Sequence, residues 1–162
     1  MTTENTNRKE KIMKRLATAA IALSIVLTAH AVPTENTFAA VTNDWYVGRW
    51  TNVLELAQAR LAANSNDLVG AHLVVSYDVL FSDIPAISNS VTRLIGAMDA
   101  SSEPAMTNLI SQLRPGWVYF RDEFLPRQTA ADVQAQHEKS SITNKTLDCD
   151  FVLKAIWDNG LW

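Results

Sequence analysis

Along most of the chain, apolar residues recur three and four positions apart, and each such run is closed by a short polar stop. The spacing predicts a helix over Asn52–Ala63, where Val53, Leu56, Ala57 and Leu61 form one stripe and Asn52, with Glu55 three residues on, can cap the start. Asn64-Ser65-Asn66-Asp67 interrupts it, and a second helix follows to Phe81. Here Leu68, His72, Val75 and Val79 lie along one line, with Val69, Leu73 and Leu80 beside it. Apolar residues on both flanks predict a central position for this helix.

Ser82-Asp83-Ile84-Pro85 and Ser102-Glu103-Pro104 are two start signals, each pairing a capping side chain with a proline that costs no hydrogen bond in the first turn. They open a third helix to Ala100, burying Ile87, Val91, Leu94, Ile95 and Met98, and a fourth through Met106, Leu109, Ile110 and Leu113, ending at Pro115-Gly116. Trp117–Phe124 fits either helical spacing or a short strand. A polar helix is expected from Thr129 to Lys139, then a loop, and a last helix from Leu147 to Trp157 closed by Asn159-Gly160. Short connections make successive helices antiparallel, and convincing strand alternation is missing, so the fold class is all-α: short helical hairpins in an array or a small bundle.

The first 31 residues follow a different rule. Lys14 and Arg15 precede an uncharged run from Leu16 to Ala29, and Ala29-His30-Ala31 supplies small residues at a cleavage site. The run is about 14 residues, short of the roughly 20 that span a bilayer. The expectation is a signal peptide cleaved after Ala31, with Thr37-Phe38-Ala39 as a second site and Met13 as an alternative start. An uncleaved membrane anchor is the competing reading. Residues 32–43 carry no periodicity and read as a linker, leaving 44–162 as one helical domain in an exported protein that meets the membrane only in transit.

Removal of residues 1–31 leaves 15 acidic and 9 basic residues. An acidic domain offers no basic footprint for nucleic acid and no polybasic segment for anionic lipid. The single cysteine, Cys149, excludes an internal disulfide, and its neighbours Asp148 and Asp150 raise a thiol pKa, against a reactive role. No cofactor or metal is expected. The glycines are isolated, His72 sits on an apolar stripe as a satisfied core histidine, and His137 lies in a polar, solvated helix. Asp122-Glu123 and Asp148/Asp150 are carboxylate pairs that point apart on helices, with Arg121 beside Asp122 for local pairing.

The passage Leu56-Ala57-Gln58-Ala59-Arg60-Leu61, Asn64-Ser65-Asn66-Asp67, Ala71-His72 to Tyr77 resembles the junction between tetratricopeptide repeats, with Ser65 in place of a proline. The first and third predicted helices start about 32 residues apart and the second and fourth about 36, on either side of the family's roughly 34-residue period. The resemblance covers Asn52 to Leu113; the Gly and Tyr positions of the family's first helix are unmatched, and Asp83-Ile84-Pro85-Ala86 is shorter than its inter-helix turn. It implies a concave groove lined by the first and third helices, which would offer Asn52, Gln58, Arg60, Asn89 and Arg93 to a protein or peptide partner.

Aromatic residues add Trp117 and Tyr119 to these candidates. Trp45-Tyr46 with Trp50, and Trp117-Val118-Tyr119-Phe120, are two clusters that serve either as binding platforms or as plugs for the ends of a helical array. The leading expectation is therefore a non-enzymatic exported scaffold. The alternatives are a small carbohydrate-binding module or hydrolase using the aromatic cluster and carboxylates, and a membrane-anchored subunit.

Overall fold

A computed structural model of the chain describes residues 34–142 and 150–162, which form one compact unit. The segment expected to be a signal peptide and Cys149 lie outside the described residues. Seven α-helices appear among the described residues, with no strand: α1 (Phe38–Tyr46), α2 (Trp50–Ala63), α3 (Leu68–Phe81), α4 (Ile84–Ala100), α5 (Thr107–Tyr119), α6 (Ala130–Ile142) and α7 (Asp150–Asp158). Short connections separate the first five. The fold is all-α.

Two of the polar stops cap the helix that follows as their chemistry predicts, whereas Ser102-Glu103-Pro104 makes no side-chain cap and opens only a 3₁₀ turn. Asp67 accepts from Gly70 N at 2.6 Å to cap α3, and Asp83 accepts from Ala86 N at 3.0 Å to cap α4. Two corrections concern the start of the domain. The stretch read as a linker contains most of α1, which Thr37 caps by accepting from Ala40 N at 3.2 Å and which buries Val41, Asp44 and Trp45. Its apolar residues are too few to show periodicity, yet Trp45 alone supplies a large buried surface. In addition, α2 begins two residues before Asn52, behind Arg49, and Asn52 is a buried helical residue rather than a cap. Gly48, at φ +85°, makes the left-handed turn between α1 and α2, and Trp50 Nε1 donates to Trp45 O across it at 2.8 Å.

Helix α3 is central, as its two apolar flanks predict. Val69, Leu73 and Leu80 face a first cluster with Val41, Trp45, Val53 and the α7 residues Val152, Leu153 and Ile156. Ala71 and Val75 face a second, dominated by Ile87, Val91, Leu94, Ile95 and Met98 of α4. Close approach of α2 and α3 depends on Gly70: a Cβ there would stand 2.9 Å from Ala57 O and 3.1 Å from Leu61 Cγ.

The predicted stop at Pro115-Gly116 does not end the fourth helix. A short 3₁₀ turn (Pro104–Met106) leads into α5, which continues past Pro115 to Tyr119, widens into a π turn over Phe120–Phe124, and tightens into a 3₁₀ turn over Leu125–Arg127. Pro115 is on the exposed side, where the lost backbone bond is not enclosed. Trp117, Phe120 and Leu125 pack inward from this run, and that burial outweighs the helix-breaking residue.

Candidate functional site

The π turn places a set of rings on one side of the molecule. Trp117 and Phe120 meet edge to face with centroids 5.9 Å apart, and Phe120 stacks on Phe124 at 5.4 Å. Together with Tyr119, Val79 of α3, Ile87 of α4, Leu125 and Val133 of α6 they enclose a cavity of about 440 Å³, bordered by the amides of Gln128 and Gln136. Tyr119 and Phe124 remain 57% and 42% exposed at its rim, so the apolar surface continues outward. No side chain lining this cavity carries a charge.

The charges along the same run are paired away from it. Arg121 donates from Nε and Nη2 to Asp122 at 2.6 and 2.9 Å, and Arg127 donates to Glu123 Oε2 at 2.6 Å. The Arg121 guanidinium holds the Asp122 carboxyl below the usual carboxylate range, and Asp122 in turn raises Arg121. Adjacent acids on this turn therefore serve two separate arginines and do not converge on a reacting atom.

A second cavity, about 460 Å³, lies on the other side of α6 and is lined by residues that include Phe81, Ser82, Asp83, Ile84, Gln134 and His137. His137 was expected in solvent; the structure half-buries it, with Nε2 enclosed and without a hydrogen-bond partner. The helix turns it inward because it shares a face with Ala130 and Val133, three and four residues apart. His72 also differs from expectation. It is fully buried, and neither ring nitrogen has a hydrogen-bond partner. Burial lowers its pKa to about 3, so the ring is neutral.

The seven sequence candidates do not assemble into one surface. Asn52 is 8% exposed and cannot meet a ligand as a groove residue. Arg60 is an internal strut: its side chain is 11% exposed, donates to both Asp67 oxygens at 2.8 and 2.9 Å and to Asn36 Oδ1, and lies 5.5 Å above the Trp162 ring. Gln58, Asn89 and Arg93 are exposed on α2 and α4, two helices separated by α3. Trp117 and Tyr119 do come together, with Phe120 and Phe124 of the same aromatic run and with Gln128 and Gln136, which the sequence pattern did not single out. Helical spacing of Trp117, Phe120 and Phe124 was the available signal; its continuation across Pro115 was not. The tryptophans of the other cluster are structural: Trp45 is in the core, and Trp50 packs on Phe81 at 5.0 Å.

Among the described residues no group of three or more His, Cys, Asp or Glu side chains is placed to hold a metal, and no helix is long and apolar enough to cross a membrane. Comparison of the chain with protein families, with curated proteins and with solved structures finds no match.

Proposed function

We propose that this protein is a non-enzymatic helical scaffold that binds a protein or peptide partner by receiving an uncharged, largely apolar side chain in the Trp117–Tyr119–Phe120–Phe124 cavity. The observation that carries the reading is the lining: aromatic faces, neutral amides and no charge, continuous with exposed Tyr119 and Phe124. A charged ligand would be desolvated there without a counter-ion, whereas an aromatic or branched apolar anchor gains contact on several sides. Its volume lies within the roughly 300–1,000 Å³ of small-group binding sites.

In this reading α2 to α5 are a degenerate pair of tetratricopeptide-like hairpins, supported by the packing of α3 against both α2 and α4 across short turns. The protein acts outside the cytoplasm after cleavage following Ala31. The alternative cut after Ala39 would remove Asn36, Thr37 and Phe38, which contact Arg60, Ala40 and Trp162. A mature mass beginning at Val32 in the culture medium or envelope fraction is the expected result; retention of residues 16–29 would make the protein membrane-anchored.

Selection of displayed peptides on the full chain tests the partner reading. Enriched peptides are expected to share one aromatic or branched apolar anchor, and Tyr119→Ala or Phe124→Ala should weaken them about tenfold or more. Failure to enrich any such peptide, or binding indifferent to both substitutions, overturns it. Gln128 and Gln136 beside aromatic faces favour a sugar ring as the second reading, which oligosaccharide titration of the same variants would reveal.

A further inference from the structure

The anchored part of the domain begins close to the expected cut. Thr34, two residues beyond Val32, is 8% exposed, and its Oγ1 donates to Asp44 Oδ2 at 2.7 Å. Asp44 is itself buried and accepts from Arg49 Nη1 on its other oxygen at 3.0 Å. The next three residues are tied down in turn: Glu35 O accepts from Thr37 N at 2.8 Å, Asn36 accepts from both Arg60 and Trp162, and Thr37 caps α1. The first residues of a domain are ordinarily loose unless held, and these are held by groups from α1, from α2 and from Trp162.

A peptidase that takes its substrate as an extended strand encloses residues on both sides of the bond it cuts, through main-chain hydrogen bonds. For a cut after Ala31 the residues on the far side are Val32, Pro33, Thr34 and Glu35. Two extended residues reach about 7 Å, less than the thickness of one helix at about 10–12 Å, so the cleft meets the docked domain before it can enclose the bond. The second candidate cut, after Ala39, is closed for another reason: Phe38 and Ala39 are already helical in α1. We propose, on the reading that the chain is cut after Ala31, that the folded domain shields its own processing site. Cleavage then has to come before residues 34–37 dock, and a chain that docks first keeps its apolar segment. The shielded step is hydrolysis: water adds across the Ala31–Val32 amide, leaving a carboxylate on Ala31 and an ammonium on Val32. The two fates expected for residues 16–29, removal and retention as an anchor, become two products of one chain.

The test follows the product beginning at Val32 by intact mass, with the full chain folded in detergent micelles and a purified signal peptidase added. A peptide of residues 13–40 is the undocked substrate. A full-chain variant with six Gly and Ser residues inserted between Pro33 and Thr34 keeps the cut site and moves it up to about 20 Å further from the domain. Wild type should be cut about tenfold or more slowly than either, because cleavage waits for the transient release of residues 34–37. Thr34→Ala/Trp162→Ala, which removes the bonds to Asp44 and Asn36, should recover part of the difference.

Equal rates for wild type and the insertion variant, with the peptide cut after Ala31, overturn the shield and leave the cleavage reading standing. A peptide left uncut after Ala31 overturns the cleavage reading and the shield with it. If the insertion variant proves unfolded by circular dichroism, the rates of the peptide, wild type and Thr34→Ala/Trp162→Ala still decide: a double variant cut no faster than wild type overturns the shield.

Discussion

His72 is an imidazole enclosed in the hydrocarbon of α3 and its neighbours, and its chemistry sets how the domain responds to acid. The folded state holds it neutral down to about pH 3, whereas the unfolded chain takes up a proton near the ordinary value of 6.5. The stabilising difference is therefore complete above pH 6.5 and is lost as pH falls from there toward 3. By pH 5 the loss is about 2 kcal/mol, from about 1.4 kcal/mol per pH unit below the unfolded pKa. Urea midpoints at pH 7 and pH 5 should show this, and His72→Leu should flatten the difference. Gly70 supports a second residue-scale prediction. Alanine is the better helix former by about 1 kcal/mol, but its Cβ would meet Ala57 O at 2.9 Å. Gly70→Ala is expected to destabilise by about 1–3 kcal/mol in denaturant titration, because overpacking outweighs propensity.

At the scale of elements, the joint between α2 and α3 depends on Asp67, which caps α3 and receives both forks of Arg60. Both side chains are mostly buried, so the ion pair is less screened than the exposed Arg114–Asp99 pair. Asp67→Asn keeps the cap and loses the charge; Asp67→Ala loses both. Thermal unfolding should rank wild type above Asn and Asn above Ala, with the Ala variant lower by about 2–3 kcal/mol. The elements that were legible in the sequence, α3 and α4 above all, combine a capping Asp with a long apolar stripe. Those that were not are α1, short and held by one tryptophan, and the π turn, where burial of Trp117 and Phe120 carries the helix past Pro115. Local signals fail at both places because tertiary packing decides them.

On the scale of the whole molecule, the candidate site was half visible. Trp117 and Tyr119 are sequence neighbours and signal themselves, but Val79, Ile87 and Val133 reach the same cavity from three other helices, which only the packing reveals. The polar residues expected on a groove failed for a related reason: Arg60 is drawn inward by Asp67, Asn36 and Trp162, partners that lie 7 and 24 positions away and at the far end of the described chain. Trp162 donates from Nε1 to Asn36 O and Oδ1 at 3.1 and 3.0 Å and meets Phe38 edge to face at 5.8 Å. Trp162→Ala should lower the melting temperature by roughly 5–10 °C through the loss of about 2 kcal/mol of packing and hydrogen bonding.

This clasp also orders events in time. Helix α1 finds its partners partly in α2 but also in Val152, Leu153 and Ile156, and in the residue at position 162. During synthesis the first segment of the domain to appear is thus among the last to settle, and the α2–α3–α4 core, made of near neighbours in sequence, forms around a place kept open for it. A nascent chain stalled before residue 150 should accordingly protect α3 and α4 from protease while leaving Phe38–Tyr46 open to cleavage.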